Sequence, residues 1–293
     1  MIKKPSVAVL LTAYNGMAWI KEQIDSILGQ KNVEVEIYIS VDLSIDKTQK
    51  WCEVYSKQNA NIKLLPYGEY YGGASKNFFR LIRDVDFSLY NYVALADQDD
   101  IWLPNKLAHA INTASKTKLQ AISSDVIAFF HDGREKLIKK SHPQQKFDYF
   151  FESAGPGCTY VFQCEALSQF KNFLQENWQK ANEVNYHDWL IYAYFRKHHL
   201  TWGIDNQPLM RYRRHEHNQI GPNYGFNAYM KRLSMVHSRW YAKEVSKIFH
   251  LVDPLGETGL KLNRWFLVTH YRQLRRHPKE SLVLLFLLLS GLY

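Results

Sequence analysis

The sequence predicts an α/β protein built on a doubly wound, mostly parallel sheet, and three observations predict it. Short apolar runs alternate with segments of helical period through the first hundred residues. The first run, Ser6-Val7-Ala8-Val9-Leu10-Leu11-Thr12, is continuously apolar, as a strand buried on both faces requires. A later run, Tyr92-Val93-Ala94-Leu95-Ala96, leads straight into Asp97-Gln98-Asp99-Asp100. That order puts carboxylates at the carboxyl edge of the sheet, where open α/β folds bind ligands.

Taken in order, the first strand breaks at Ala13-Tyr14-Asn15-Gly16, a turn signal. From Met17 to Leu28 the apolar residues Trp19 or Ile20, Ile24, Ile27 and Leu28 recur at helical spacing. Val35 to Ser40 reads as a second strand that ends in Val41-Asp42-Leu43-Ser44-Ile45-Asp46. A helix over 47–57 follows, with Asp46 as its N-cap. Ile62-Lys63-Leu64-Leu65 is a short third strand. Gly72-Gly73-Ala74-Ser75-Lys76-Asn77 then opens a helix carrying Phe78, Phe79, Leu81 and Ile82, and the acid-tipped strand comes next. The β-α-β-α-β-α-β order is that of a parallel sheet with helical crossovers.

Three acids within four positions repel one another, and a divalent cation removes that cost. The spacing of Asp97 and Asp99 lets both share one ion, and magnesium or manganese keeps positions open for substrate phosphates. The competing explanation is an acidic loop that caps the following helix. Other phosphate chemistries are excluded by absence. No Gly-x-Gly-x-x-Gly follows the first strand and no Gly-Lys-Ser/Thr loop occurs, which argues against a dinucleotide oxidoreductase and a P-loop NTPase. No Gly-x-Ser-x-Gly elbow supports a hydrolase.

A chain of 293 residues accommodates one large domain with a small appendage, and 46% hydrophobic content supports a real core. Cys52, Cys158 and Cys164 have neither zinc-site nor disulfide spacing, which suits a reducing compartment. The N-terminus leads directly into a strand, so no signal peptide is expected. Net charge is +9, of which +7 falls in residues 226–293. That basic stretch ends in the apolar run Leu282 to Leu289, shorter than the roughly 20 residues that span a bilayer. A basic segment with an apolar tip favours an anchor on an anionic membrane surface over a nucleic-acid arm. An oligomerising helix with a cationic face is the other possibility. The division expected is 1–225 for the α/β domain that carries the acid cluster and 226–293 for a helical extension.

The motifs Thr12-Ala13-Tyr14-Asn15-Gly16, Asp42-Leu43-Ser44-Ile45-Asp46, Gly72-Gly73-Ala74-Ser75-Lys76-Asn77 and Ala96-Asp97-Gln98-Asp99-Asp100-Ile101-Trp102 occur here in a characteristic order. Together they resemble the nucleotide-sugar half of family 2 glycosyltransferases with the GT-A fold, a Rossmann-like sheet flanked by helices. Asp-Gln-Asp-Asp-Ile-Trp is most similar to bacterial rhamnosyltransferase-like members that build surface polysaccharides. The resemblance covers roughly residues 6 to 221.

The resemblance implies an inverting, metal-dependent glycosyltransferase. On the donor side it implies Thr12, Tyr14 and Asn15 near the nucleotide, Asp42 on a pyrimidine base, Lys76 at phosphate or sugar or else simply solvated, and Asp97, Gln98 and Arg213 or Arg214 around the diphosphate. The family usually has two successive acids where this chain has Val41-Asp42, and Asp42 and Asp46 also suit helix capping. Metal ligation by Asp97, Asp99 and His215 is implied, the last from a segment similar to Tyr-Arg-x-His-x-x-Asn in Tyr212-Arg213-Arg214-His215-Glu216-His217-Asn218. His217 is expected to face solvent. Gly157 and Cys158, in a glycine-rich turn, and Trp189 fall on the acceptor side, and His187 is structural or acceptor-facing. Asp188 matches the catalytic base, which takes the proton of the acceptor hydroxyl; a helix N-terminal acid is its structural alternative.

The expected reaction moves a sugar, rhamnose from dTDP-rhamnose in the first instance, to a growing lipid-linked cell-surface glycan. The enzyme would be cytoplasmic, peripheral on the inner face of the membrane, with no nucleic-acid partner. A UDP-sugar-dependent galactosyl- or glucosyltransferase of the same fold is the alternative. A sugar-phosphate nucleotidyltransferase is the alternative from another class, though Ala13-Tyr14-Asn15-Gly16 lacks its Gly-rich, Lys/Arg-containing signature.

Overall fold

A computed structural model describes residues 3–215 and 239–293. His217, the later part of the Tyr-Arg-x-His-x-x-Asn segment and the 225/226 division lie outside the described residues.

The strands β1 (Ser6–Ala13), β2 (Glu34–Val41), β3 (Ile62–Leu64) and β4 (Tyr92–Ala96) alternate with helices α1 (Ile20–Leu28), α2 (Thr48–Gln58) and α3 (Ala74–Asp84). β1 pairs in parallel with β2 on one side and β4 on the other, and β2 pairs in parallel with β3. This is the expected doubly wound half. Helix α1 starts at Ile20, because the Gly16 carbonyl accepts both the Trp19 and the Ile20 N–H, a tight turn that uses up the residues before it. Asp46 holds the start of α2, accepting the Thr48 N–H at 2.9 Å.

Residues of β1 alternate between two cores, as the two-residue period of a strand demands. Val7, Val9 and Leu11 pack with Ile20, Ile24 and Ile27 of α1 on one face. Ala8 and Leu10 pack on the other with Phe78, Phe79 and Ile82 of α3.

Next come β5 (Ile101–Trp102), α4 (Lys106–Thr117), β6 (Ala121–Ser124), β7 (Val126–Phe130), β8 (Glu135–Ile138), β9 (Val161–Gln163), α5 (Cys164–Glu176), α6 (Trp178–Ala181), α7 (His187–Lys197), β10 (Trp202–Asp205) and β11 (Met210–Arg214). The sheet grows to seven strands in the order β10-β6-β9-β4-β1-β2-β3. Strand β9 lies antiparallel between β4 and β6, a reversal absent from the expected parallel pattern. Three residues are too few to carry a periodic signal. A second sheet, β5-β11-β7-β8, stands beside the first.

The helices Trp240–Val252, Arg264–Thr269 and Pro278–Ser290 complete the described chain. Val245, Ile248, Leu267, Leu274, Leu284 and Leu288 belong to the same apolar core as α3, α5 and α7. A buried ionic network joins the two regions: Arg276 meets Asp148 at 3.1 Å and Glu152 at 3.2 Å, and Arg196 meets Asp148 at 3.0 Å.

Candidate active site

The site forms where β1, β2 and β4 end. At the tip of β1, Thr12 is buried, and Tyr14 stands half exposed. Asn15 takes a left-handed backbone (φ 46°), a conformation its short polar side chain tolerates. Its Oδ1 accepts the Ile45 N–H at 2.9 Å, while the Asn15 N–H donates to Ser44 Oγ at 3.0 Å, so the first two loops are tied together. Gln98 ties the third: its Oε1 accepts the Tyr14 N–H at 2.8 Å and its Nε2 donates to the Tyr14 carbonyl at 2.7 Å. Gly16 makes room for this clamp, because a Cβ there would lie 2.0 Å from Gln98 Oε1.

Asp42 is buried and accepts three amides: Leu43 and Tyr71 on Oδ1 at 2.8 and 2.9 Å, and Gly72 on Oδ2 at 2.9 Å. It anchors the turn before α3 and caps no helix. Lys76 is exposed in the first turns of α3.

Three acids and a thiol gather beneath these loops. Donor atoms of Asp97, Asp100 and Cys158 all lie within 4.8 Å of one another. Burial, with the charges of Asp99 and Asp188, pushes the Asp97 carboxyl up to about 7. Burial and the charges of Asp99 and Asp97 hold Asp100 well above the usual carboxylate range. Burial and the neighbouring carboxylates raise the Cys158 thiol as well, so it stays protonated and donates to them. A protonated thiol is a poor metal ligand, which leaves oxygen donors in charge of the site.

Strand β11 completes it. Antiparallel pairing of Met210 with Trp102 and Arg211 with Ile101 carries the chain back past Asp100 and Asp99. The Arg213 N–H donates to Asp100 Oδ1 at 3.0 Å and its Nε to the Asp99 carbonyl at 2.7 Å, while its guanidinium also pairs with Glu22. His215 Nε2 meets Asp99 Oδ2 at 2.7 Å, and Trp19 stacks on the imidazole with ring centroids 4.1 Å apart. Of the predicted metal set, His215 and Asp99 thus meet each other, while the donor atoms gathered around Asp97 are those of Asp100 and Cys158. Asp100 Oδ2 is buried with no hydrogen-bond partner. Carboxylates, an imidazole and an orphaned buried oxygen fit a hard divalent cation such as magnesium or manganese.

Asp188, in the first turn of α7, is partly exposed; its Oδ1 accepts the Trp189 N–H at 2.9 Å. Burial pushes its carboxyl up to about 6, against the opposing pull of that amide, the Ser153 side chain and the Lys140 charge. Gly157 packs against this region, where a Cβ would lie 2.3 Å from His187 Nε2 and 3.3 Å from the Asp188 Cβ.

Gly157, Cys158 and Trp189, expected on the acceptor side, and His187, expected there or in a structural role, are all buried. Cys158 turns to the carboxylates. His187 stacks on Phe78 at 4.1 Å between centroids, and burial holds its imidazole neutral, down at about 3. Trp189 donates Nε1 to the Tyr149 carbonyl at 3.0 Å and stacks on Tyr241. Apolar neighbours on α3 and the C-terminal helices draw these rings inward.

Two residues went unnoticed in the sequence. Lys106 is buried with Nζ 3.7 Å from the Trp102 ring centroid, and burial lowers its amine to about 7. The cation–π contact gives a desolvated ammonium behind Asp100 its partner. A lysine in the first turn of α4 gave no signal apart from following Asp100-Ile101-Trp102. Trp19 was readable only as a helix-face residue.

A model of glycosyl transferase family 2 matches residues 8–186. The dTDP-rhamnosyl transferase RfbG of Shigella flexneri is 40% identical over 289 residues, covering 97% of this chain and 100% of that protein. The structure of S. aureus TarS 1–349 in complex with UDP superposes with a TM-score of 0.58 at 14% identity, covering 91% of this chain and 72% of that one. The mannosyltransferase PcManGT from Pyrobaculum calidifontis, in complex with GDP-Man and Mn2+, gives a TM-score of 0.54 at 16% identity, covering 99% and 81%. Both likenesses show the GT-A fold expected from the sequence.

Proposed function

The chain belongs to glycosyl transferase family 2, and on that premise we propose that it moves rhamnose from dTDP-rhamnose, with inversion, to a growing lipid-linked cell-surface glycan. It is a nucleotide-sugar glycosyltransferase; near-full-length similarity to a dTDP-rhamnosyl transferase supports the choice of donor.

One observation carries the mechanism. Asp188 abuts Gly157, while Cys158, next in the chain, bonds the carboxylates that end β4. A base and a diphosphate-side cluster therefore share one short segment. Asp188 takes the proton from the acceptor hydroxyl as its oxygen attacks the anomeric carbon, and the bond to the diphosphate breaks with its electrons leaving on dTDP. A carboxyl raised to about 6 is ionised at neutral pH yet basic enough for the task. Asp97, Asp99 and His215, backed by Asp100, would hold a magnesium or manganese ion. When bound, that ion supplies charge neutralisation at the diphosphate. Tyr14, Asn15 and Asp42 line the nucleotide side, and Lys76 and Arg213 the phosphate side.

Among the described residues no helix is long and apolar enough to cross a membrane. We place the enzyme in the cytoplasm, peripheral on the inner membrane face, where a lipid-linked acceptor is presented.

A thermal-shift and hydrolysis screen of nucleotide-sugars with manganese, magnesium or EDTA tests the reading. A shift with dTDP-rhamnose that EDTA erases is the expected result. A shift with UDP-sugars alone keeps the chemistry and changes the donor. No shift with any nucleotide-sugar overturns it.

A further inference from the structure

We infer that the outer face of the helix Pro278–Ser290 docks flat on an anionic bilayer surface. This rests on the membrane reading above and assigns the surface responsible.

The helix is apolar on both sides. Leu284 and Leu288 are buried in the body of the protein, while Leu282, Val283, Phe286 and Leu289 are 53–65% exposed. A helix on an aqueous surface carries polar residues on its outer face; one that is apolar all round is covered on every side. The exposed four follow the spacing i, i+1, i+4, i+7, so they form one stripe. Trp265, on the preceding helix, is 73% exposed, and its neighbour Arg264 donates to the Leu289 carbonyl.

Two observations choose the occupant. Thirteen residues rise about 20 Å, less than the roughly 30 Å hydrocarbon core, and one face is already packed, so the helix lies in the plane. Exposed cations rim the stripe: Lys279 heads it, and Arg264 and Arg239 donate to carbonyls at its far end. A second copy on this face would bring those cations against their own kind, whereas anionic headgroups complement them.

The full-length protein is sedimented with phosphatidylglycerol-containing vesicles and with pure phosphatidylcholine vesicles. Binding to the anionic vesicles alone is expected, with a ~10-fold weaker partition for V283S/F286S. That variant should keep its melting temperature and its nucleotide-sugar hydrolysis. Equal binding of wild type and variant overturns the assigned face while the membrane reading stands. Failure of the wild type to bind either vesicle overturns both. If the wild type also behaves as a dimer that V283S/F286S dissociates, a second copy covers the stripe.

Discussion

His215 Nε2 and Asp99 Oδ2 stand 2.7 Å apart although 116 residues separate them in the chain. The contact exists because β11 runs antiparallel to β5 and returns the chain to the acid cluster. His215→Ala should raise the manganese concentration for half-maximal hydrolysis about 10- to 100-fold, the usual cost of losing a ligand or its partner. A metal titration checks this, and an unchanged midpoint removes His215 from the site.

Asp188→Asn should cut transfer by ~10²–10⁴-fold while leaving donor affinity within about two-fold. In the wild type, transfer should decline as pH falls through about 6, where the base becomes protonated. A pH–rate profile on the bound complex, flat across that range, would contradict the role of Asp188.

The same carboxyl makes a stability prediction of defined sign. Its folded value lies above the unfolded value of 3.8, so folding favours the protonated form. That contribution is present below about pH 4 and lost as pH rises through about 6. Asp188→Asn should therefore stabilise the protein at pH 8 relative to pH 4, by on the order of 2 kcal/mol given its partial contact with solvent. Melting curves at the two pH values give the difference.

Gly157→Ala puts a methyl 2.3 Å from His187 Nε2, and His187 is pinned on Phe78. Overpacking of this kind costs about 1–3 kcal/mol and displaces Asp188, so kcat should fall more than donor affinity. Gly157→Ala behaving as wild type in both would show that α7 can shift.

Gly16→Ala and Gln98→Ala break the same pair of bonds to Tyr14. Each should weaken donor binding, and the double variant should be little worse than either alone, a coupling of at least ~0.5 kcal/mol. Additive losses in calorimetric titrations would mean the clamp does not organise the loop.

Arg276 is almost fully buried, bonded to Asp148 and Glu152. Arg276→Ala takes the shared guanidinium from Glu152 and leaves Asp148 to Arg196, and should cost about 1–3 kcal/mol in denaturant unfolding.

Much of the donor half was legible, because a strand buried on both faces must be continuously apolar and a carboxylate cluster at its end has few other uses. His215 meets Asp99, whereas Asp97 clusters with Asp100 and Cys158. What the sequence hid lies in tertiary pairing. Cys158 meets acids some sixty positions earlier only because β9 reverses direction between β4 and β6. The burial of His187 and Trp189 depends on Phe78 and Tyr241, which belong to distant elements. Polar-looking motif residues were read as facing a ligand when their neighbours pull them inward. Lys106 was missed because a single lysine on a helix ordinarily signals solvent.

The inserted strand β9 has a consequence for how the protein is made. Strand β4 is interior only once residues 161–163 lie along it. At ~5–20 residues per second, the ribosome needs several seconds to supply that partner, roughly sixty residues downstream. During this interval Tyr92–Ala96 offers a naked apolar edge, the template on which nascent chains cross-pair. The nucleotide half is therefore no independent folding unit, and a fragment ending before β9 should be insoluble.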